Sequence, residues 1–333
     1  MSEIPQGAIR FNTDSQRLEF YAQGEWWVMS TDTPNLGSAG DSTPGARGLM
    51  GGGQGGSPAT TQTRIDAINF SSTGDSINFG DLSAARYAPA GASDKTIAIW
   101  GGGNTNNDRI DKVTFGSGGT ATDFGDLSQG RRGLSACSSA TRSVFAGGVA
   151  SPDPTYVSTM DYITTQTGGT AQGWTDSLEA VQSNTSACAS PTRGIVAGGG
   201  PSLTNRIEFI TIATLGNVQD FGDLLEPSFD NIACSNPVRG VMGGSLTPTV
   251  LNTIQYVTLS TTGNSQEFGD LTRTLQHGNA ASSPTRAVWM GGVTVNIMDY
   301  VQIMTTGNAV DFGDLSLARW SGNSGCSNAH GGL

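Results

Sequence analysis

Histidine is nearly missing from this chain, with only His277 and His330 present. No cluster of His, Cys and carboxylate has metal-ligand spacing, so no metal or other cofactor is expected. Cysteine is scarce too. Cys137, Cys188, Cys234 and Cys326 all fall at one position of a repeat, where other copies have Ala92 and Ala281. Equivalent positions on separate modules should lie beyond the roughly 7 Å Cα separation a disulfide tolerates. Small buried thiols on inner strands are expected instead. Charge is sparse, and 17 Lys+Arg against 28 Asp+Glu leave a net charge of −11. That balance argues against binding nucleic acid through phosphates, and suits an exposed particle that repels its neighbours. No run approaches the roughly 18 apolar residues of a membrane span, so no membrane insertion is expected. Met1-Ser2-Glu3-Ile4-Pro5 has neither the basic nor the apolar region of a signal peptide. No stretch sustains a 3.6-residue apolar period, so helices should be few.

What abounds is glycine, 48 residues of it, and it is placed with regularity. One phrase recurs with the aromatic residue at 79, 124, 174, 221, 268 and 312: Phe79-Gly80-Asp81-Leu82, Phe124-Gly125-Asp126-Leu127, Trp174-Thr175-Asp176-Ser177, Phe221-Gly222-Asp223-Leu224, Phe268-Gly269-Asp270-Leu271 and Phe312-Gly313-Asp314-Leu315. An apolar run ending in Gly-Gly keeps the same phase, starting at Gly51, Gly101, Gly147, Gly198, Gly243 and Gly291. Two markers with one count and one phase define a repeat of about 47 residues.

Each copy reads as four strands. A small-residue strand (Ser186-Ala187-Cys188-Ala189) leads through the turn Ser190-Pro191-Thr192-Arg193 into the apolar strand ending at Gly198-Gly199. A third strand alternates with period two, as in Met298-Asp299-Tyr300-Val301. A turn such as Thr306-Gly307-Asn308 then leads to a fourth strand that ends on the Phe-Gly-Asp-Leu phrase. From the turn glycine (74, 119, 169, 216, 263 or 307) to the aromatic the distance is constant in all copies, as strand register demands. Length variation concentrates between the Gly-Gly and the third strand's Asp66, Asp111, Asp161, Glu208, Gln255 or Asp299, so these loops should emerge on one face. Four-stranded modules at this spacing predict an all-β, six-bladed β-propeller with four antiparallel strands per blade. Ser324 to Asn328 matches a first strand without its second, and Gly48-Leu49-Met50-Gly51 supplies that partner. The ring is therefore expected to close through N- and C-terminal strands.

Residues 47–333 are assigned to the propeller, 31–46 to a Ser/Thr/Gly/Pro-rich linker and 1–30 to an N-terminal β-arm. In the arm, Gly7 to Asp14, Leu18 to Tyr21 and Gly24 to Val28 read as three strands. Three short strands cannot bury Phe11, Phe20, Tyr21, Trp26 and Trp27 alone, so these are docking candidates.

The order of strands, Gly-Gly and aromatic resembles kelch repeats over residues 48–333. The wording Ser190-Pro191-Thr192-Arg193-Gly194-Ile195-Val196-Ala197-Gly198-Gly199-Gly200 and Thr305-Thr306-Gly307-Asn308-Ala309-Val310-Asp311-Phe312-Gly313-Asp314-Leu315 is similar to kelch-like repeats of marine cyanophage virion proteins, and the arm resembles that of phage tail-fibre proteins. The resemblance implies a kelch-like virion structural protein, made in the host cytoplasm and associated with the tail or its fibres. Implied partners are other virion proteins, further copies of this chain and a host-surface glycan or receptor. A head or neck decoration protein is the alternative, and a kelch-ring enzyme a remote one.

The aspartates Asp81, Asp126, Asp176, Asp223, Asp270 and Asp314 are expected to cap their own turns as repeat scaffold. Copies of one residue are not a catalytic site, and no catalytic residue is assigned. Ligand-contact candidates are the loop residues Asn104, Asn106, Asn107, Asp108, Asp153, Tyr156 and Asn205, whose polar and aromatic character suits glycans.

Overall fold

The computed structural model describes residues 5, 7–12, 17–28, 47–56, 59–174, 183–293, 295–322 and 324–329. The expected linker 31–46, Asp176 and His330 lie outside them, as do the side chains of Phe11 and Asn106. The chain divides into two compact units, Met1–Ser38 and Ala39–Leu333.

In the first unit, Ile9–Asn12, Arg17–Ala22 and Glu25–Val28 form a three-stranded antiparallel sheet. Its alternation sorts the side chains by face. On one face Arg10 pairs with Glu19 at 2.8 Å and lies 4.1 Å over the ring of Trp26, which meets Tyr21 edge-on at 5.3 Å. On the other, Ile9 pairs with Phe20 and Phe20 with Trp27, and all three are exposed.

The second unit is all-β and propeller-like. Among the described residues its main elements are antiparallel sheets. Sheet I joins Gly325–Ser327 to Arg47–Gly51, Arg64–Asn69 and Ile77–Asp81. Sheet II holds Ala90–Ser93, Ile97–Gly101, Arg109–Thr114 and Thr122–Asp126. Sheet III holds Ser135–Ser138, Arg142–Ala146, Met160–Thr164 and Gln172–Gly173. Sheet IV holds Ser186–Ala189, Arg193–Ala197, Thr204–Thr211 and Gln219–Ser228. Sheet V holds Ile232–Ser235, Arg239–Leu246, Val250–Thr258 and Gln266–Asp270. Sheet VI holds Asn279–Ser282, Arg286–Met290, Ile297–Gln302 and Val310–Asp314. The C-terminal strand pairs as its sequence implied, Gly325 with Met50, Cys326 with Leu49 and Ser327 with Gly48.

The core lies between sheets. Trp100 of sheet II is fully buried against Gly51 of sheet I, and Trp289 of sheet VI against Gly243 of sheet V. Another cluster joins Met290, Met298 and Phe312 of sheet VI to Met50, Ile68 and Phe70. Burial of this apolar surface is the main drive for stacking, at about 25 cal/mol per Å² removed from water. All four cysteines lie in this interior, on first strands, without disulfides. Burial pushes the thiols of Cys137 and Cys234 up to about 12, and those of Cys188 and Cys326 up as well. The native protein should therefore leave these thiols unreacted with Ellman's reagent at neutral pH and release all four on unfolding. Rapid native labelling would contradict the buried placement.

Polar bonds of the same kinds repeat between neighbouring sheets. The first set is the use made of the Phe-Gly-Asp phrase. Phe124 O and Asp126 O of sheet II accept the amides of Gly169 and Ala171 in the turn of sheet III, at 2.9 and 2.7 Å. Phe221 and Asp223 do the same for Gly263 and Ser265, Phe268 and Asp270 for Gly307 and Ala309, and Phe312 and Asp314 for Gly74 and Ser76. The glycine between them must have no side chain: a Cβ on Gly125, at φ +152°, would lie 1.9 Å from Gly169 O. In the third copy Trp174 Nε1 donates to Gly216 O at 2.9 Å.

The second set is formed by arginines at the start of second strands. Arg142, Arg193, Arg239 and Arg286 donate to the carbonyls of Ile212, Leu259, Ile303 and Phe70 in the next sheet, and Arg47 to Phe115 O. Their guanidinium groups also lie over rings of their own sheets, 4.1 Å for Arg239 over Tyr256. Between sheets II and III, Gln166 reaches back to Asp94 and Thr96 instead.

The third set is buried charge. Arg86 pairs with Asp111 at 2.6 Å, Arg131 with Asp161 at 2.5 Å, Arg273 with Asp299 at 3.5 Å and Arg319 with Asp66 at 3.1 Å. Ser83, Ser128, Thr272 and Ser316, two residues past the repeated Asp, donate to the same carboxylates. At Asp81 the expectation that the repeated Asp caps its own turn gives way to a different bond. The amide of Ser83 bonds to Asp111 Oδ2 of the next sheet, and Asp81 Oδ1 accepts from Thr63 Oγ1. In these copies the phrase acts through its backbone, and the amides just past it bond to side chains of the next sheet: Ser83 N to Asp111 Oδ2, Leu225 N to Gln255 Oε1 and Ser316 N to Ser76 Oγ.

Candidate functional site

Because first and second strands are antiparallel, with Ala90 opposite Gly101, the loops after the Gly-Gly share one end of the sheets with the connections that enter the next first strand. Within these connections Ala88, Gly133, Asn184, Asp230, His277 and Gly322 all have positive φ, between 49° and 67°. Asn, Asp, His and Gly tolerate this region best. Backbone bonds link successive connections: Gly133 N to Ala88 O at 3.1 Å, Asn184 N to Gly133 O at 2.7 Å, Asp230 N to Asn184 O at 2.9 Å and Ser321 N to His277 O at 3.3 Å. His277 N donates to Asp230 Oδ2 at 2.5 Å.

An aromatic group sits on consecutive connections of this rim. Trp320 meets Tyr87 edge-on at 5.0 Å and His277 in a tilted stack at 5.2 Å, and all three are half-buried. His277 Nδ1 lies 2.7 Å from Asp230 Oδ2, which is almost fully buried. Burial by itself would lower the His277 pKa, but the hydrogen bond and charge of Asp230 outweigh it and hold the imidazole above its ordinary value.

The loop candidates are placed differently. Asn104 is half-buried and engaged with the rim: its amide donates to Tyr87 O and its Oδ1 accepts from Tyr87 N, both at 2.9 Å. Asn107 Oδ1 accepts from Arg109 N at 2.8 Å. Asp108 is exposed, while its carbonyl accepts from Leu127 N. Asn106 lies in a short 3-10 turn. Asp153 forms an exposed 2.9 Å ion pair with Arg132, and Tyr156 pairs with Val149 in a small sheet with Arg131–Arg132. Asn205 is a correction. It lies within the strand Thr204–Thr211, where the register shifts, because the fourth strand of sheet IV continues to Ser228 and pairs with Thr204. The loop after Leu246 is likewise a tight hairpin of two long strands.

Tyr87, Trp320, His277 and Asp230 were not singled out as site residues. Their signal was a constant place in the repeat, six or seven residues past Asp81, Asp314, Asp270 and Asp223. Among the described residues no group of three or more His, Cys, Asp or Glu is arranged to hold a metal ion. Comparison with protein-family models gives no match, and comparison with curated proteins gives none.

Proposed function

We propose that sheets I–VI are the blades of a closed six-bladed, kelch-like propeller. We further propose that the protein is a phage virion structural protein, associated with the tail or its fibres, which contacts the host surface or neighbouring virion proteins. The bonds from sheet VI to sheet I support closure, because they are the same ones that join the other neighbours. The repeat wording and the arm's strand pattern support the virion assignment. The observation that carries a role in assembly is the arm's exposed row Ile9, Phe20 and Trp27, spread over three strands. Such an apolar row marks an interaction surface, here one that docks on another virion protein or on further copies of this chain. On the second unit, the polar rim with its aromatic group suits a host glycan. The chain acts by binding, without catalysis.

Deletion of residues 1–30 tests this directly. The remaining chain should keep the unfolding midpoint of the full protein within about 2 °C and fail to enter particles. Normal incorporation of the deletion variant would refute the docking role.

A further inference from the structure

The aromatic group on the rim carries more than its packing requires. Tyr87, Trp320 and His277 come from three consecutive connections and meet at centroid distances of 5.0 and 5.2 Å. A core cluster of this kind would be buried, yet these rings are half-exposed. Their polar atoms are unspent. Among the described residues Tyr87 Oη, Trp320 Nε1 and His277 Nε2 make no hydrogen bond, and Asp230 spends Oδ2 on His277 N and Nδ1 while Oδ1 has no partner. By contrast the indoles of Trp100 and Trp289 donate to Ser324 O and Ile232 O, and Asn104 gives both backbone and side chain to the Tyr87 backbone.

We propose that Tyr87, Trp320, His277 and Asp230 form a saccharide subsite that takes a neutral pyranose ring of a surface polysaccharide. The chemistry matches on each count. A pyranose offers an apolar C–H face for an indole and a rim of hydroxyls that both donate and accept. Trp320 Nε1 and Tyr87 Oη supply donors and Asp230 Oδ1 a fixed acceptor, while His277 Nε2, with Nδ1 turned to Asp230, accepts from a hydroxyl when the imidazole is neutral and donates to one when it is protonated. An acidic sugar would meet that buried carboxylate, and a phosphate would find no Lys or Arg among these residues. The His277–Asp230 bond holds the imidazole in place before the ligand arrives, so little ordering is required on binding. This assignment rests on the glycan-contact reading of the loop face and names the residues that perform it.

The test is titration of the ¹⁵N-labelled full chain with methyl glucopyranoside, galactopyranoside and mannopyranoside, following the tryptophan indole N–H signals. The Trp320 signal is identified by its loss in Trp320→Phe. One of the sugars should shift that signal. Trp320→Ala should weaken its binding by about tenfold or more and Trp320→Phe by much less, while Met304→Ala, at an exposed turn on the opposite end of sheet VI, leaves it unchanged. The unfolding midpoint of each variant separates a lost site from a lost fold. His277→Gln is the second probe where Trp320→Ala is unstable, and should likewise weaken binding. If a sugar binds and neither Trp320→Ala nor His277→Gln alters its affinity, the subsite is wrong and the glycan reading stands. If no sugar binds the wild-type chain, the subsite fails, and absence of binding to whole host polysaccharide would remove the glycan reading with it.

Discussion

Asp161→Ala is expected to destabilise the propeller-like second unit by about 3–5 kcal/mol. The reason lies in the partner it abandons. Arg131 and Asp161 are both fully buried, with Nη2 2.5 Å from Oδ2, and Arg131 Nη1 also donates to Gly147 O and Thr159 O at 2.9 and 2.7 Å. Burial pulls the Arg131 pKa below its ordinary value, while the charge and hydrogen bond of Asp161 oppose it. Without the carboxylate, a guanidinium stays in a dry seam with no counter-charge. Urea unfolding measures the loss. The double variant R131M/D161L should recover most of it, since an apolar pair of similar volume avoids desolvation altogether. Arg132→Ala, one residue away, breaks only the exposed pair with Asp153 and should cost less than about 1 kcal/mol. Equal effects at Arg132 and Asp161 would show that burial does not set the magnitude.

Gly125→Ala is the second large effect, about 2–5 kcal/mol. Two independent terms combine there. The residue has φ +152°, and its Cβ would stand 1.9 Å from Gly169 O and 2.9 Å from Gly169 N, backbone atoms held by the next sheet's turn. Neither side can yield without breaking the bonds to Phe124 O and Asp126 O. Gly173→Ala is the matched control. Nothing lies within 4 Å of its would-be Cβ, and the change should stay within about 0.5 kcal/mol. Thermal unfolding of the two variants side by side decides the matter; a neutral Gly125→Ala would mean that the turn does not pack on the phrase.

Much of the architecture was legible because repetition exposes register. The constant distance from turn glycine to aromatic, the Gly-Gly marker and the unpaired strand at the C-terminus gave strand order and the pairing of Cys326 with Leu49. The cysteines were legible for the same reason, since one repeat position has one environment. The clasp was not. The phrase marks the end of a strand within its own module, and nothing in one module shows that the next sheet's backbone lies against Gly80 and its equivalents. The arginine–aspartate pairs left a trace that a pattern search can recover: Arg86, Arg131 and Arg319 stand five residues past the repeated Asp and Arg273 three, whereas the modules preceding Glu208 and Gln255 have no arginine there. The site was least legible. Asn104 and Asn107 have the composition of contact residues but spend their amides on the fold, and Asn205 was drawn into a strand by a long neighbour. Tyr87, Trp320 and His277 come together only because consecutive connections meet at the rim, a neighbour relation that no single module contains.

Closure of the ring is tested most directly by cross-linking across the junction of sheets VI and I. Asp314 N donates to Asp75 Oδ1 at 3.0 Å, and Ser76 N to Asp314 O at 2.8 Å; Asp75 and Asp314 are both exposed. Cysteines placed at these two positions are the accessible ones, because the native thiols are buried. A short bis-maleimide should join them within one chain, identified by mass spectrometry of the linked peptides, and should not do so in urea. A closed ring gives that intrachain link in high yield under native conditions; an open stack, with its first and last sheets apart, gives none.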